Sequence, residues 1–471
     1  MATLYVRQNG NDNNPGNEVD SAFGTIRAAV AASAPDDTID IGPGEFVVTE
    51  AVEIPHGLTI QGASIEDTVV RGCVDYDHQF RALSEQGVAG LTFRDMTLDV
   101  ANEVWDYAGR RTCIRVERVS DLLIERVRFL RPSAWAVVVG CGTPASGTSA
   151  DHRRAVNHRV TVRRCDFVGL RPQEHRGFSK IPRGSTLEQL LIFNTRTVLV
   201  EDCTFRDIPP SASGLGLYQV VRGVTVRRCT FDGAGVGAYY PITGREILFE
   251  FCRFFGGAGI YGARETDNKG LHGTSEATRD LQVRDCHFEC WENAAALEIG
   301  AVRGARVSRC TFVGCLGPSI VINRGRDLKR DKSVRAIGFA CDDVQIEDCV
   351  FFDAGRYGDF PRLHGAVYIA RHHGSTLHGF IRACRFERRW RPGHDISGAV
   401  QGPMGFPWLI ALSIENGPLA PDEIDNGGTI RGFAIIDSDL RPASVEFADG
   451  SNLEVENVTE LWGFLPDNNA P

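Results

Sequence analysis

One spacing recurs through the chain and limits what it can fold into: apolar-x-apolar-x-x-Cys-x-Phe, as in Leu281, Val283, Cys286 and Phe288. Its cysteine falls at Cys165, Cys203, Cys229, Cys252, Cys286, Cys310, Cys349 and Cys384, and each is followed two positions later by phenylalanine. Degenerate copies carry Met96 with Leu98, Val127 with Phe129, and Ser438 with Leu440. The eight cysteines stand 38, 26, 23, 34, 24, 39 and 35 residues apart, so the unit is a coil near 23 residues with insertions, not a helical repeat of fixed length. A second short apolar run follows most of the phenylalanines, at 134–139, 190–193, 215–221, 236–240, 295–299, 319–322, 366–369 and 411–414.

Three short strands in about 23 residues leave no room for a helix, which predicts one turn of a parallel β-helix per unit. Coils of that kind stack about 4.8 Å apart, and strand alternation sends every second side chain inward. The repeated cysteines and phenylalanines then become two internal columns. A propeller would need four strands in about 40 residues, and a leucine-rich repeat would need its consensus leucines and asparagine. The predicted class is therefore all-β, a parallel β-helical solenoid forming a single domain. Residues 1–60 make a cap and first coil, and 61–465 make the coils with their loop insertions. In the cap, Leu4 to Val6 reads as a strand, Phe23, Ile26, Ala29 and Val30 as one face of a short helix, and Thr38 to Ile41 as a second strand. Such a lid protects an open sheet edge from pairing with another chain.

The segments GNDNNPG, FGTIRAAV and DDTIDIGPGEF near the N-terminus, with the units VTVRRCDF, VTVRRCTF and VQIEDCVF, resemble the right-handed parallel β-helix, pectate-lyase-like superfamily. The resemblance covers nearly the whole chain. It implies a right-handed coil and an elongated saccharide held along one strand face. It does not select an activity, because that superfamily includes lyases, hydrolases, transferases, epimerases, esterases and phage tailspikes.

Composition narrows the partners. A net charge of −10 lacks the basic footprint of a general nucleic-acid binder. No apolar run approaches 18 residues, so no membrane span is expected. The first 30 residues show no export signal, which leaves the compartment open between cytoplasm and a trimmed secreted form. The 14 cysteines include no C-x-x-C pair and no histidines at zinc-site spacing. They read as small buried core residues, reduced and inert, and no metal site is expected from them.

Insertions cluster around the second strand: 142–157, 264–280 and 324–343 follow it, and 169–188, 353–365 and 387–409 precede it. They would wall a groove along one strand face, and loops on a rigid scaffold commonly carry function. By alternation Tyr239, Tyr261, Glu298, Asn323, Tyr368 and Arg371 point outward there, which makes the tyrosines, Asn323 and Arg371 candidate saccharide contacts. Glu298 is the sharpest signal, because it interrupts an otherwise apolar strand where nothing local demands a charge. The loop Arg264, Glu265, Thr266, Asp267, Asn268, Lys269, Gly270, Leu271, His272 adds acids, bases and one of only four lysines.

Two chemistries divide on these residues. Hydrolysis or transfer of a glycosidic bond needs two carboxylates, about 5–5.5 Å apart for retention and about 6.5–9.5 Å for inversion. Glu298 with Glu265 or Asp267 would supply them. β-Elimination on a uronate needs a base and a cation near the sugar carboxylate, for which Lys269, Arg264, His272 or Arg371 are candidates, with Ca²⁺ as the cofactor in that case. The leading expectation is cleavage or transfer of glycosidic bonds in an oligo- or polysaccharide. The alternatives are a uronate lyase, and a non-catalytic glycan-binding tailspike or adhesin, which would imply a homotrimer.

Overall fold

A computed structural model describes residues 1–72, 78–84, 86–100, 112–132, 135–140, 157–169, 188–208, 212–233, 235–240, 244–257, 259–262, 278–290, 295–300, 302–315, 318–323, 341–352, 366–369, 378–387, 409–414, 433–436, 438, 443–446 and 453–456. The chain divides into two compact units, Met1–Ala238 and Tyr239–Pro471. The strand pairings within each are parallel, as the repeat predicts. No described helix is long and apolar enough to cross a membrane.

The first unit begins with the cap. Strand Thr3–Val6 pairs with Thr38–Ile41, setting Leu4 beside Ile39 and Val6 beside Ile41, and Thr38–Ile41 continues into Thr59–Gln61. Between them lies the helix Ile26–Ala32, whose N-cap Thr25 accepts from the Ala28 N–H, satisfying one of the donors left open at a helix start. Its buried face is Ile26, Ala29 and Val30, packed against both cap strands. Asp36 takes a left-handed turn, φ 67°, between the helix and Thr38–Ile41.

The coils of the second unit show the repeat most plainly. Strands Arg245–Glu250, Arg253–Gly256 and Ile260–Gly262 make one coil, and Thr278–Arg284, His287–Cys290 and Leu297–Gly300 make the next. Val302–Ser308, Thr311–Val313 and Ile320–Asn323 follow in register, then Asp342–Glu347, Val350–Phe352 and Val367–Ile369. Phe254, Phe288, Phe312, Phe351 and Phe386 stack face to face, with centroids 4.7, 4.9, 5.0 and 4.7 Å apart and ring planes within 7°. In the first unit Phe129, Phe167, Phe205 and Phe231 stack at 4.7, 4.6 and 4.7 Å, with ring planes within 16°. All nine rings are fully buried, each stabilising its unit by about 1.5–3 kcal/mol through burial.

The cysteine column has a polar reason as well as an apolar one. The residue before each repeat cysteine is left-handed: Arg164, Asp202 and Arg228 in the first unit, and Phe251, Asp285, Arg309, Asp348 and Ala383 in the second, all with φ between 51° and 54°. That corner turns the chain and leaves the carbonyl two residues before the cysteine facing inward. The thiol donates to it, at 3.3 Å for Cys165, 3.2 Å for Cys203, 3.3 Å for Cys286 and 3.2 Å for Cys349. Ser438 takes the same place, its hydroxyl donating to the Ile436 carbonyl at 3.0 Å. The cysteines whose side chains are described are buried thiols that form no disulfide among themselves. Burial pushes the Cys203 and Cys286 thiols well above their ordinary value, which keeps them protonated and unreactive.

Corner residues on neighbouring coils also pair with each other. Arg228 forks onto Asp202 at 2.7 and 3.0 Å, and Arg309 onto Asp285 at 2.7 and 2.7 Å. The same fork joins Arg126 to Asp95, the left-handed residues immediately before Val127 and Met96 in the degenerate copies of the tag. The guanidinium beside each holds the Asp202 and Asp285 carboxyls below the ordinary 3.8. A carboxyl depressed by folding stabilises the fold at pH above its unfolded value, and that contribution is lost as pH falls through the folded value. Urea midpoints should therefore fall as the pH drops below 3.8, and the double variant Asp202→Asn, Asp285→Asn should show a shallower fall than the wild type. An unchanged acid slope would assign these forks no role in stability.

A buried asparagine ties three coils of the first unit together. The Asn157 side chain accepts from the Val119 N–H at 3.0 Å and donates to the carbonyls of Phe193 and Asn194 at 3.0 and 3.3 Å. The strand Glu188–Glu201 bends at this point, with Asn194 left-handed and a register shift between Phe193 and Thr195. Asn157→Ala orphans those backbone groups and is expected to cost about 1–3 kcal/mol in urea unfolding. A loss below about 0.5 kcal/mol would mean that water replaces the side chain.

Candidate functional site

The face predicted to carry a site is formed in the second unit by strands Ile260–Gly262, Leu297–Gly300, Ile320–Asn323, Val367–Ile369 and Leu409–Ile414. Register aligns Leu297, Ile320, Val367 and Leu412 in one column, and Glu298, Val321, Tyr368 and Ser413 in the next. Leu297, Ile299, Ile320, Ile322 and Val367 are fully buried and fill the coil interior, so alternation directs the Glu298 column out of the coil.

Direction and exposure part company here. Glu298 is 3 % exposed, Tyr368 1 % and Tyr261 7 %, where open contact positions were expected. Alternation fixes which way a side chain leaves the strand, and not what lies over it. The Tyr261 hydroxyl is committed to the Ala295 carbonyl on the next coil, which draws it against the protein. Tyr239 is partly exposed, its ring 6.3 Å from that of Tyr261. Asn323 stands in register with Gly300, but its side chain lies outside the described residues. Arg264, Glu265, Asp267, Lys269, His272 and Arg371 also lie outside them, so the carboxylate separation that divides retention from inversion is not described.

The backbone under Glu298 is held from inside. Tyr240, fully buried, donates its hydroxyl to the Glu298 carbonyl at 2.9 Å and accepts from the Gly300 N–H at 2.7 Å. One phenol thereby satisfies a donor and an acceptor at the end of the strand, and fixes where the Glu298 side chain leaves it. Burial pushes the phenol well above its ordinary value, so it stays a hydroxyl able to do both. A carboxylate at this depth is costly unless it is partnered. The same column holds Val321 one coil further on, so the coil itself does not require a charge there.

Among the described residues no three His, Cys, Asp or Glu side chains converge as a metal site. A cleft of about 300 Å³ in the cap is lined by Gln8, Asp12, Thr25, Arg27, Glu45 and Glu50 among others. Its polar groups are committed locally: Asp12 to the Gly24 and Thr25 N–H groups, and Arg27 to Glu50. Spacing does not single out the buried carboxylates Asp37, Asp99, Glu125, Glu188, Glu201 and Glu250, of which Glu188 of the first unit is 1 % exposed. Glu188 reads in sequence as the last residue of the 169–188 insertion, whereas the strand Glu188–Glu201 begins with it.

Comparison with known proteins agrees with the architecture. A family model described as a right handed beta helix region matches residues 185–335. No curated protein matches the sequence. Among solved structures, the N-terminal fragment of gene product 12 of bacteriophage Phi29 aligns with a TM-score of 0.61 at 10 % identity, covering 93 % of this chain and 68 % of that one. The A-module of the Azotobacter vinelandii mannuronan C-5 epimerase AlgE4 gives 0.46 at 12 % identity, covering 93 % and 96 %. The endo-xylogalacturonan hydrolase of Aspergillus tubingensis gives 0.42 at 11 % identity, covering 98 % of each chain. At such identities the likeness is one of fold, and the phage fragment carries it. The family model, the phage fragment and the stacked parallel coils in each unit, three strands to the coil, together give the chain the right-handed parallel β-helix fold.

Proposed function

We propose that the chain is a carbohydrate-active enzyme that cleaves or transfers glycosidic bonds of an oligo- or polysaccharide bound along the strand face of Glu298. The observation that carries this reading is Glu298 itself. It is a carboxylate 3 % exposed, in a column whose next rungs are Val321 and Tyr368, on a backbone clamped by Tyr240. A carboxylate buried at a fixed place on a strand, with uncharged residues on the neighbouring rungs, can serve as acid, base or nucleophile. Desolvation also strengthens its interactions with charge that develops on a bound sugar.

The test is turnover of a defined panel: xylan, mannan, β-glucan and α-1,3-glucan as neutral polymers, polygalacturonate and alginate as uronates. New reducing ends, or a new glycoside when an acceptor sugar is supplied, without a rise in ultraviolet absorbance are expected. A rise in absorbance on a uronate would replace this reading with β-elimination, since only that reaction creates the conjugated double bond. Binding without turnover would replace it with a glycan-binding protein.

A further inference from the structure

The cap leaves one strand of the first coil open at its outer end. Thr3–Val6 lies along Thr38–Ile41, and the helix Ile26–Ala32 packs against both and against Val52–Glu53. Gly44–Val47, which lies between Thr38–Ile41 and Val52–Glu53 in the chain, pairs with Thr68–Arg71 and, among the described residues, with no other strand. Gln8, Asp12 and Thr25 to Arg27 line a cleft of about 300 Å³ together with Glu45 to Glu50. The lid expected from the sequence therefore covers part of this end and leaves a slot along the rest.

Backbone bonds fix which groups face the slot. A residue in a parallel ladder directs its N–H and C=O to one neighbouring strand, and the next residue serves the opposite one. The Gly44 and Val48 N–H groups donate to the Asp67 and Arg71 carbonyls at 2.7 and 2.8 Å, so Gly44, Phe46 and Val48 serve the next coil. Glu45, Val47 and Thr49 direct theirs into the cleft. The Gln8 side chain marks that side, its amide donating to the Glu45 carbonyl at 3.2 Å. Val47 is 66 % exposed, and Thr49 beyond it is exposed as well. Among the residues lining the cleft, Ile26, Phe46, Val48 and Val52 are buried and make an apolar floor, and Asp12, Arg27, Glu45 and Glu50 are exposed at its rim.

We propose that the Glu45–Thr49 edge takes an extended segment of a partner protein as an added β-strand, with an apolar side chain on the floor of the cleft and basic residues beside it. The chain itself displays the geometry, since Thr3–Val6 is added in parallel to Thr38–Ile41 one strand earlier on the same coil. In strand addition the main-chain bonds supply affinity, and pockets for alternate side chains supply specificity. Charge selects the partner. Residues 1–60 hold nine Asp and Glu against two Arg, a net −7 of the −10 on the whole chain. Glu45 and Glu50 already pair with Arg71 and Arg27, so the selection comes from the field of the whole cap and not from one contact. The edge needs no turnover and stands apart from the Glu298 proposal.

The experiment uses the full chain and fluorescein-labelled heptapeptides that alternate threonine with one apolar residue (valine, isoleucine, leucine or phenylalanine) between terminal lysines, read by anisotropy. At least one should bind with a Kd below about 1 mM. Its twin with glutamate ends should bind about 10-fold more weakly, a difference that shrinks as salt is raised. Methylating alternate peptide nitrogens should weaken binding about 10-fold in one phase and spare it in the other, because only alternate amides meet a sheet edge. Val47→Pro removes the N–H at the centre of the edge, a change that an edge strand tolerates. It should weaken binding about 10-fold and leave the unfolding midpoint within about two degrees. No binding by any lysine-ended peptide, equal affinity in Val47→Pro, or equal effects of the two methylation phases would overturn the proposal. Self-association of the unliganded chain that Val47→Pro abolishes would overturn it as well, assigning the edge to a second copy. None of these results bears on turnover at Glu298, which is measured separately.

Discussion

Phe288→Ala is expected to destabilise the second unit by about 3–5 kcal/mol, measured as the loss in urea unfolding free energy. The ring is fully buried and stacked on both faces, 4.7 Å from Phe254 and 4.9 Å from Phe312. Truncation removes its own burial and also strips one face from each neighbour, and coil spacing fixed by backbone hydrogen bonds prevents those neighbours from closing the gap. Aromatic pairing adds about 0.5–1.5 kcal/mol per contact beyond burial. Phe288→Leu should recover roughly half of the loss. Phe255→Ala, beside Phe254 on the partly exposed side of the preceding coil's strand, should cost under about 1.5 kcal/mol. A Phe288→Ala cost no larger than that of Phe255→Ala would show that the ladder is not what holds the coils together.

Glu298→Gln is expected to lower kcat/KM on the true substrate about 10²–10⁴-fold, the range general acid–base groups usually contribute. Stability should change little, because the substitution keeps the shape and the column accepts Val321 and Tyr368 on neighbouring rungs. That contrast separates catalysis from architecture. A structural Glu298 would give the reverse, with full turnover and a lowered unfolding midpoint. Tyr240→Phe offers an intermediate case. It orphans the Gly300 N–H and the Glu298 carbonyl inside the coil, which is expected to cost about 1–3 kcal/mol. It should reduce activity through the misplaced strand end and not through the chemistry.

Much of the fold could be read from spacing alone, because alternation and repetition are local. Residues 236–240 were expected as a strand and Val236–Tyr240 is one, and the cap strand Thr38–Ile41 and the helix around Ile26, Ala29 and Val30 fall where their patterns put them. The reason for cysteine was harder to see. Apolar size accounts for Cys286 as well as for Val127, but the left-handed corner and the thiol bond to the carbonyl two residues back emerge only from backbone angles. The Asp–Arg forks were equally hidden, since Asp285 meets Arg309 only after the coil register is known. At the candidate site, alternation gave the direction of Glu298 and Tyr368 but not their depth, which depends on what crosses the face. Glu188 escaped because its partners Trp135 and Tyr218 are 53 and 30 residues away in sequence.

The phenylalanine ladder also acts as a ruler that ignores chain length. Cys286 to Cys310 takes 24 residues and Cys310 to Cys349 takes 39, yet the rings beside them are 4.9 and 5.0 Å apart. Fifteen extra residues therefore add nothing to the rise, because the strands on either side of the insertion keep register with their neighbours. Along this stack, lineage drift and laboratory grafting can lengthen, shorten or exchange a loop while the strand-face side chains keep their mutual spacing. A deletion that removes one whole cysteine-to-cysteine period, such as 287–310, should likewise leave the remaining rungs in phase and shorten the stack by a single step. In that sense the interior stores the geometry and the loops are free to store the specificity.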